Sequence, residues 1–167
     1  AAYGVQWRML VDALGECARR AAPYGVMIGV QNHHDLGVGF EQMYDLIQAV
    51  NEPNCRAMFD AWAPHLHGDD IVAAARKLAP LSIHTTIADY QMRPRYRYNA
   101  AVVNYTAETP LVQAVPMGQG VIDYRGFLRA LADCGFTGSV AYEMCSPLID
   151  GGEMEMLDRY AHTFLDY

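Results

Sequence analysis

The sequence predicts an α/β fold with a parallel sheet, and three observations carry that prediction. Helical periodicity alternates with short apolar runs along the chain. The first three runs begin at residues 26, 55 and 81, a spacing of about 30 residues that suits strand–helix–strand units. Each run stays apolar until its end, where a polar or titratable residue appears.

Residues 6–22 place Trp7, Leu10, Val11, Leu14, Cys17, Ala18 and Ala21 three and four apart, on one face of a helix. Pro23 and Gly25 stop it. Residues 26–31 (VMIGVQ) form the first strand, 39–50 the next helix, and Glu52-Pro53-Asn54 a turn. Residues 55–60 (CRAMFD) are the second strand. Asp69 and Asp70 can cap a helix running to Leu78, and 81–86 (LSIHTT) is the third strand. Residues 90–121, with Pro94, Pro110 and Pro116, read as a long irregular stretch, functional or mobile. A helix over 123–134 is capped by Asp123 and ended by Gly135. A fourth strand spans 138–143 (GSVAYE), and a last helix runs from about 152 to 165.

With 167 residues, the chain reads as one domain over 1–167. A hydrophobic share of 52% against 19% charged residues excludes a disordered chain. It points to a large core, or to surface that a partner covers. The net charge of −7 argues against a nucleic-acid or anionic-membrane binder. No apolar run approaches the roughly 18 residues a membrane span needs. The start, Ala1-Ala2-Tyr3-Gly4, has neither the basic nor the apolar part of a signal peptide, so a cytoplasmic protein is expected. It also lacks an initiator Met, which suggests a processed, trimmed or excised chain. Cys17, Cys55, Cys134 and Cys145 make no CxxC pair and sit in apolar stretches, so buried reduced thiols are expected.

The strand ends carry the chemistry. They are Gln31 (with Asn32, His33 and His34), Asp60, His84 and Glu143. In parallel α/β folds, sites gather at the carboxyl ends of the strands. Oxygen and imidazole donors of this mix suit Mn²⁺, Mg²⁺, Co²⁺ or Zn²⁺.

These residues resemble the second half of a xylose-isomerase-like TIM barrel, the sugar phosphate isomerase/epimerase superfamily. The family's Glu-Asn-His strand end is matched by Gln31-Asn32-His33, and its Asp followed by His by Asp60 and His65. Its strand-seven His is matched by His84, with Asp89 beyond. Its Gly-x-Gly-x-Ile-Asp segment is matched by residues 118–123, and its Tyr-Glu strand end by Tyr142-Glu143. The likeness runs over about residues 20–165 and implies a (β/α)₈ barrel of which this chain holds about the last four βα units. A whole barrel needs about 250 residues. The chain is therefore expected to need an N-terminal half-barrel, a partner chain or a second copy. The resemblance implies a divalent ion, Mn²⁺ first, held by Gln31, Asp60, His84 and Glu143.

Three positions depart from the family. Gln31 replaces a carboxylate, so it adds no charge and cannot act as a base. If Asp89 is the matched anchor, Thr86 takes the strand-seven ligand position and His84 lies one layer deeper. Ala63 occupies the family's usual histidine position, with His65 two residues later.

The remaining polar features fill in a pocket. His33-His34 supply an acid/base group or position the loop. Pro64 and Gly68 place His65-x-His67 in a loop, and Trp62 is an apolar wall or core residue. Residues 93–98 (RPRYRY) would bring Arg95 and Arg97 to substrate hydroxyls, carboxylate or phosphate, or form an oligomer interface.

The activity implied is metal-dependent isomerase or epimerase chemistry on a carbohydrate through an enediolate. Glu143 would be the base and His33 or His84 the second proton carrier. Gln31 leaves lyase or dehydratase chemistry open, as well as a degenerate sugar-binding or scaffold barrel without turnover. Endonuclease-type phosphodiester hydrolysis would need more histidines and a basic face.

Overall fold

The computed structural model describes residues 2–145, 148–149 and 151–167. The chain divides into two compact units, Ala1–Ile87 with Asp123–Ala141, and Ala88–Ile122 with Tyr142–Tyr167.

The first unit is a layered α/β arrangement. Helix α1 (Tyr3–Ala21) is followed by strand β1 (Ile28–Gln31), helix α2 (Phe40–Val50) and strand β2 (Cys55–Met58). The short helix α3 (Trp62–Leu66), helix α4 (Ile71–Leu78) and strand β3 (Ser82–Ile87) come next. Helix α5 (Tyr124–Asp133) and strand β6 (Ser139–Tyr142), up to Ala141, complete it after an intervening hairpin. The strand order is β1-β2-β3-β6. β1 and β2 are parallel with Gln31 opposite Met58, and β2 and β3 are parallel with Met58 opposite His84.

Helix boundaries follow the caps in the sequence. Asp70 Oδ1 accepts from the amides of Val72 and Ala73 at 3.0 Å and starts α4. Asp123 Oδ1 accepts from Gly126 at 2.9 Å and starts α5. Asn51, at φ 51°, ends α2 in the left-handed conformation that asparagine tolerates. The buried faces then follow the 3.6-residue period: Met43, Leu46, Ile47 and Val50 of α2, and Ile71, Ala74, Ala75 and Leu78 of α4.

The two faces of the sheet differ. Cys55 and Ala57 of β2 and Thr85 and Ile87 of β3 are buried. Arg56, Met58, His84 and Thr86 stay half-exposed. Gly29 belongs with the open face, because a Cβ there would overlap the Met58 side chain. A parallel sheet is normally covered on both sides. Here one face of the unit is only partly covered.

The second unit holds strands β4 (Asp89–Asn99) and β5 (Asn104–Val115) and helix α6 (Met154–Leu165). The strands form a long antiparallel hairpin, from Asp89 opposite Val115 to Asn99 opposite Asn104. This corrects the irregular stretch expected over 90–121. The prolines suggested a loop, but Pro94, Thr109 and Pro110 sit where the register shifts, between Arg93–Leu111 and Arg95–Glu108. A bulge leaves ladder amides unneeded, so proline fits there. Tyr142 stacks on Phe164 at 5.2 Å between ring centroids, and Tyr160 of α6 is buried.

Two smaller expectations also fail. Residues 65–67 lie in and just after α3, not in a loop, because Pro64 falls in the helix's first turn, where no amide partner is needed. Of the four free thiols only Cys55 is buried; Cys17 and Cys134 are exposed and Cys145 is half-buried. Among the described residues, no helix is long and apolar enough to cross a membrane.

Candidate functional site

In the first unit, the ends of β1, β2 and β3 are tied together by side chains. Asn32 is 1% exposed and clamps the first two. Its Oδ1 accepts from the Asp60 amide at 2.7 Å, and its Nδ2 donates to the carbonyls of Asp60 (2.9 Å) and Val38 (3.3 Å). Thr85 Oγ1 donates to the Phe59 carbonyl at 2.6 Å and ties β3 to the end of β2. These bonds satisfy backbone groups that stop pairing where the strands stop.

Gln31 is the exposed last residue of β1. Its Nε2 donates to Thr86 Oγ1 at 3.0 Å. Thr86 is thus the β3 residue to which Gln31 hydrogen-bonds. His84 points its Nδ1 to Ser139 Oγ, 2.6 Å away. Asp60 Oδ1 accepts from the Trp62 amide at 2.7 Å and so fixes the start of α3. Trp62 and His65 lie half-buried on that helix, while His33 is exposed and packs edge-to-face on His34 at 4.6 Å.

In the second unit, Glu143 is exposed and directly follows β6. Arg95 and Arg97 stand on β4 and both pair with Glu108 of β5, at 3.4 and 3.0 Å. The same unit holds a buried carboxylate. Asp89 Oδ2 accepts from the amides of Gly118 (3.1 Å) and Gly120 (2.9 Å), and Oδ1 from Tyr90 (3.0 Å) and Ile122 (3.3 Å). The Gly118–Ile122 loop is thus wrapped on one side chain. Burial, with Asp89 beside it, pushes the Tyr90 hydroxyl up to about 12. Burial, with Tyr160 next to it, does the same to Tyr142.

Of the expected metal ligands, Gln31, Asp60 and His84 stand in the first unit and Glu143 in the second. Gln31 brings no charge, and with its Nε2 donating to Thr86 its carbonyl oxygen is the atom that could ligate an ion. The row across the sheet reads Gln31, Met58, His84, with a thioether between amide and imidazole. A thioether is a poor ligand for hard divalent ions. Among the described residues, no three His, Cys, Asp or Glu side chains group closely enough to hold an ion. Nothing in this donor set singles out manganese.

A family model for the xylose isomerase-like TIM barrel matches residues 1–160. The chain belongs to that family. Within it, the chain is 29% identical over 140 residues to the inosose isomerase of Bacillus subtilis (strain 168), covering 82% of this chain and 46% of the relative. It superposes on the crystal structure of the IolI protein with a bound zinc atom at TM-score 0.71 and 25% identity, covering 96% of this chain and 55% of that one. It shares its fold with D-psicose 3-epimerase with D-tagatose from Clostridium cellulolyticum H10, at TM-score 0.76 and 20% identity, over 99% of this chain and 56% of that one. The chain therefore spans about half the length of the relatives it matches. In the sequence Asn32 stands only as the middle residue of Gln31-Asn32-His33, and its role as a clamp depends on backbone groups 6 and 28 residues away.

Proposed function

We propose that this xylose isomerase-like chain is the C-terminal half of a (β/α)₈ barrel that interconverts polyhydroxylated ketones, of the inosose or ketose type, by proton transfer. The observation that carries the reading is the gathering of Gln31, Asn32, Asp60 and Thr86 at the strand ends. The likeness to inosose isomerase supports the substrate class. The half-covered sheet and the half-length match to relatives support a missing half, supplied by more chain, a partner or a second copy.

Glu143 is the base. A carboxylate removes the proton from the carbon beside the substrate carbonyl, and the carbonyl oxygen becomes the enediolate oxygen. The proton returns to the neighbouring carbon in isomerisation, or to the opposite face of the same carbon in epimerisation. His33, exposed at the end of β1, is the second proton carrier. Hydrogen-bond donors aimed at the oxygen stabilise its developing charge. Trp62, His65, Arg95 and Arg97 contact the substrate.

The test is deuterium exchange. The protein is incubated with an inosose or a ketohexose in D₂O, and the proton beside the carbonyl is followed by NMR. Loss of that signal faster than without protein, with a new isomer appearing, is the expected result. Exchange with loss of water would instead mark a lyase. The neutral Gln31–Thr86 pair favours one second reading, a sugar-binding barrel without turnover; a ligand-dependent rise in melting temperature with no exchange would select it.

A further inference from the structure

The ends of β1 and β3 present an uncharged pair of side chains on the open face of the sheet. Gln31 Nε2 donates to Thr86 Oγ1 at 3.0 Å. One amide hydrogen is used in that bond, and one acceptor position of the hydroxyl. The amide keeps its second N–H and its carbonyl oxygen, and the threonine keeps its O–H. Two donors and one acceptor therefore stand side by side, and their spacing is held by their mutual bond. Of the neighbouring groups that carry charge or imidazole, Asp60 turns its Oδ1 to the Trp62 amide and His84 its Nδ1 to Ser139. Met58 separates the Gln31 and His84 positions in the row. Such a set matches the oxygen of an alcohol or ketone, which both donates and accepts, and offers a divalent cation little.

We propose that the Gln31–Thr86 pair binds a hydroxyl or carbonyl oxygen of a neutral polyol or keto-polyol directly, with no metal ion between protein and ligand. This rests on the substrate class proposed above and adds how that oxygen is held. A tightly held cation is favoured by anionic or imidazole donors, and in these two places the chain supplies an uncharged amide and an uncharged alcohol. A neutral ligand oxygen needs hydrogen-bond partners pre-set in space, which the pair supplies.

Two measurements test it. The first is Mn²⁺ titration followed by electron paramagnetic resonance, with wild type and the Q31E/T86H double variant. The wild type should leave the free-ion signal unchanged, while the double variant should deplete it. Stoichiometric depletion by the wild type overturns the proposal. The second is calorimetry with myo-inositol in excess EDTA. Binding should persist in the chelator and weaken roughly 2- to 10-fold in Thr86→Val, the loss expected for one hydrogen bond. Binding that vanishes in EDTA and returns with Mn²⁺ overturns the proposal, as does no polyol binding at all. Neither readout needs turnover. Binding of this kind without deuterium exchange would sink the isomerase reading alone, and exchange that requires Mn²⁺ would sink this one alone.

Discussion

The amide of Gly120 lies 2.9 Å from Asp89 Oδ2, and a Cβ at Gly120 would overlap that same carboxylate and come within 2.6 Å of the Tyr90 carbonyl. The glycine is required because the loop must pass this close to the aspartate. Gly120→Ala should therefore destabilise the protein by on the order of 2 kcal/mol, the usual scale of overpacking. Asp89→Ala should cost more, on the order of 3 kcal/mol, since it leaves several amides unpaired at once. Urea midpoints for both variants check this, and an Asp89→Ala midpoint equal to wild type would refute the account.

Asn32 gives a second stability prediction. Asn32→Ala deletes three hydrogen bonds at a position only 1% exposed. A loss of about 2–3 kcal/mol follows from the backbone groups of Asp60 and Val38 left unpaired. Asn32→Asp should be no milder, because a carboxylate cannot donate to the Asp60 and Val38 carbonyls. Thermal unfolding of the two variants side by side is the measurement.

The tyrosines predict an alkaline limit. Tyr90 and Tyr142 are both held up to about 12 from 10.0, chiefly by burial. The folded state keeps its protons where the unfolded chain releases them. Their contribution is complete below pH 10 and falls as pH rises from 10 to 12, with a slope of about 1.4 kcal/mol per pH unit for each group. Urea midpoints measured from pH 8 to 12 should be flat and then fall. Midpoints that hold steady to pH 12 would contradict the burial of these hydroxyls.

Thiol chemistry should separate the cysteines. Cys17 and Cys134 are exposed, and Cys55 is buried with its thiol pushed up by that burial. Alkylation of the native protein followed by peptide mass spectrometry should label Cys17 and Cys134 early and Cys55 only after unfolding.

Glu143→Gln tests the proposed base. It keeps the shape of an exposed side chain and removes its proton acceptor. Deuterium exchange should drop by about 10²- to 10⁴-fold while the melting temperature stays within a degree or two. Unchanged exchange would remove Glu143 from the mechanism.

Much of the first unit was legible because its signals are local. Asp70 and Asp123 announce their helices by capping them, and the apolar runs announce strands whose ends carry polar groups. The 118–123 motif was visible too, but its reason was not: the partner of Gly118 and Gly120 lies about 30 residues back, at Asp89. The hairpin was hidden by Pro94 and Pro110, which read as loop residues until their shared bulge is known. The different partners of Thr86 and His84 were hidden as well, because Gln31 and Ser139 each lie 55 residues away in the chain. Glu108 likewise gave no sign that it would hold Arg95 and Arg97, because a cross-strand pair depends on the register of both strands.

That bulge in the hairpin has a bearing on how the chain behaves in a crowd. A two-stranded ribbon has an outer side on each strand, and unpaired strand sides are templates for other chains. Proline in the middle of each strand interrupts that template, and the shifted register twists it further. Replacing Pro94 and Pro110 with β-formers would restore an amide donor to each strand while the one-residue bulge stays in place. It would also turn an arm bearing exposed Tyr96, Tyr98 and Tyr105 into a surface primed for self-association.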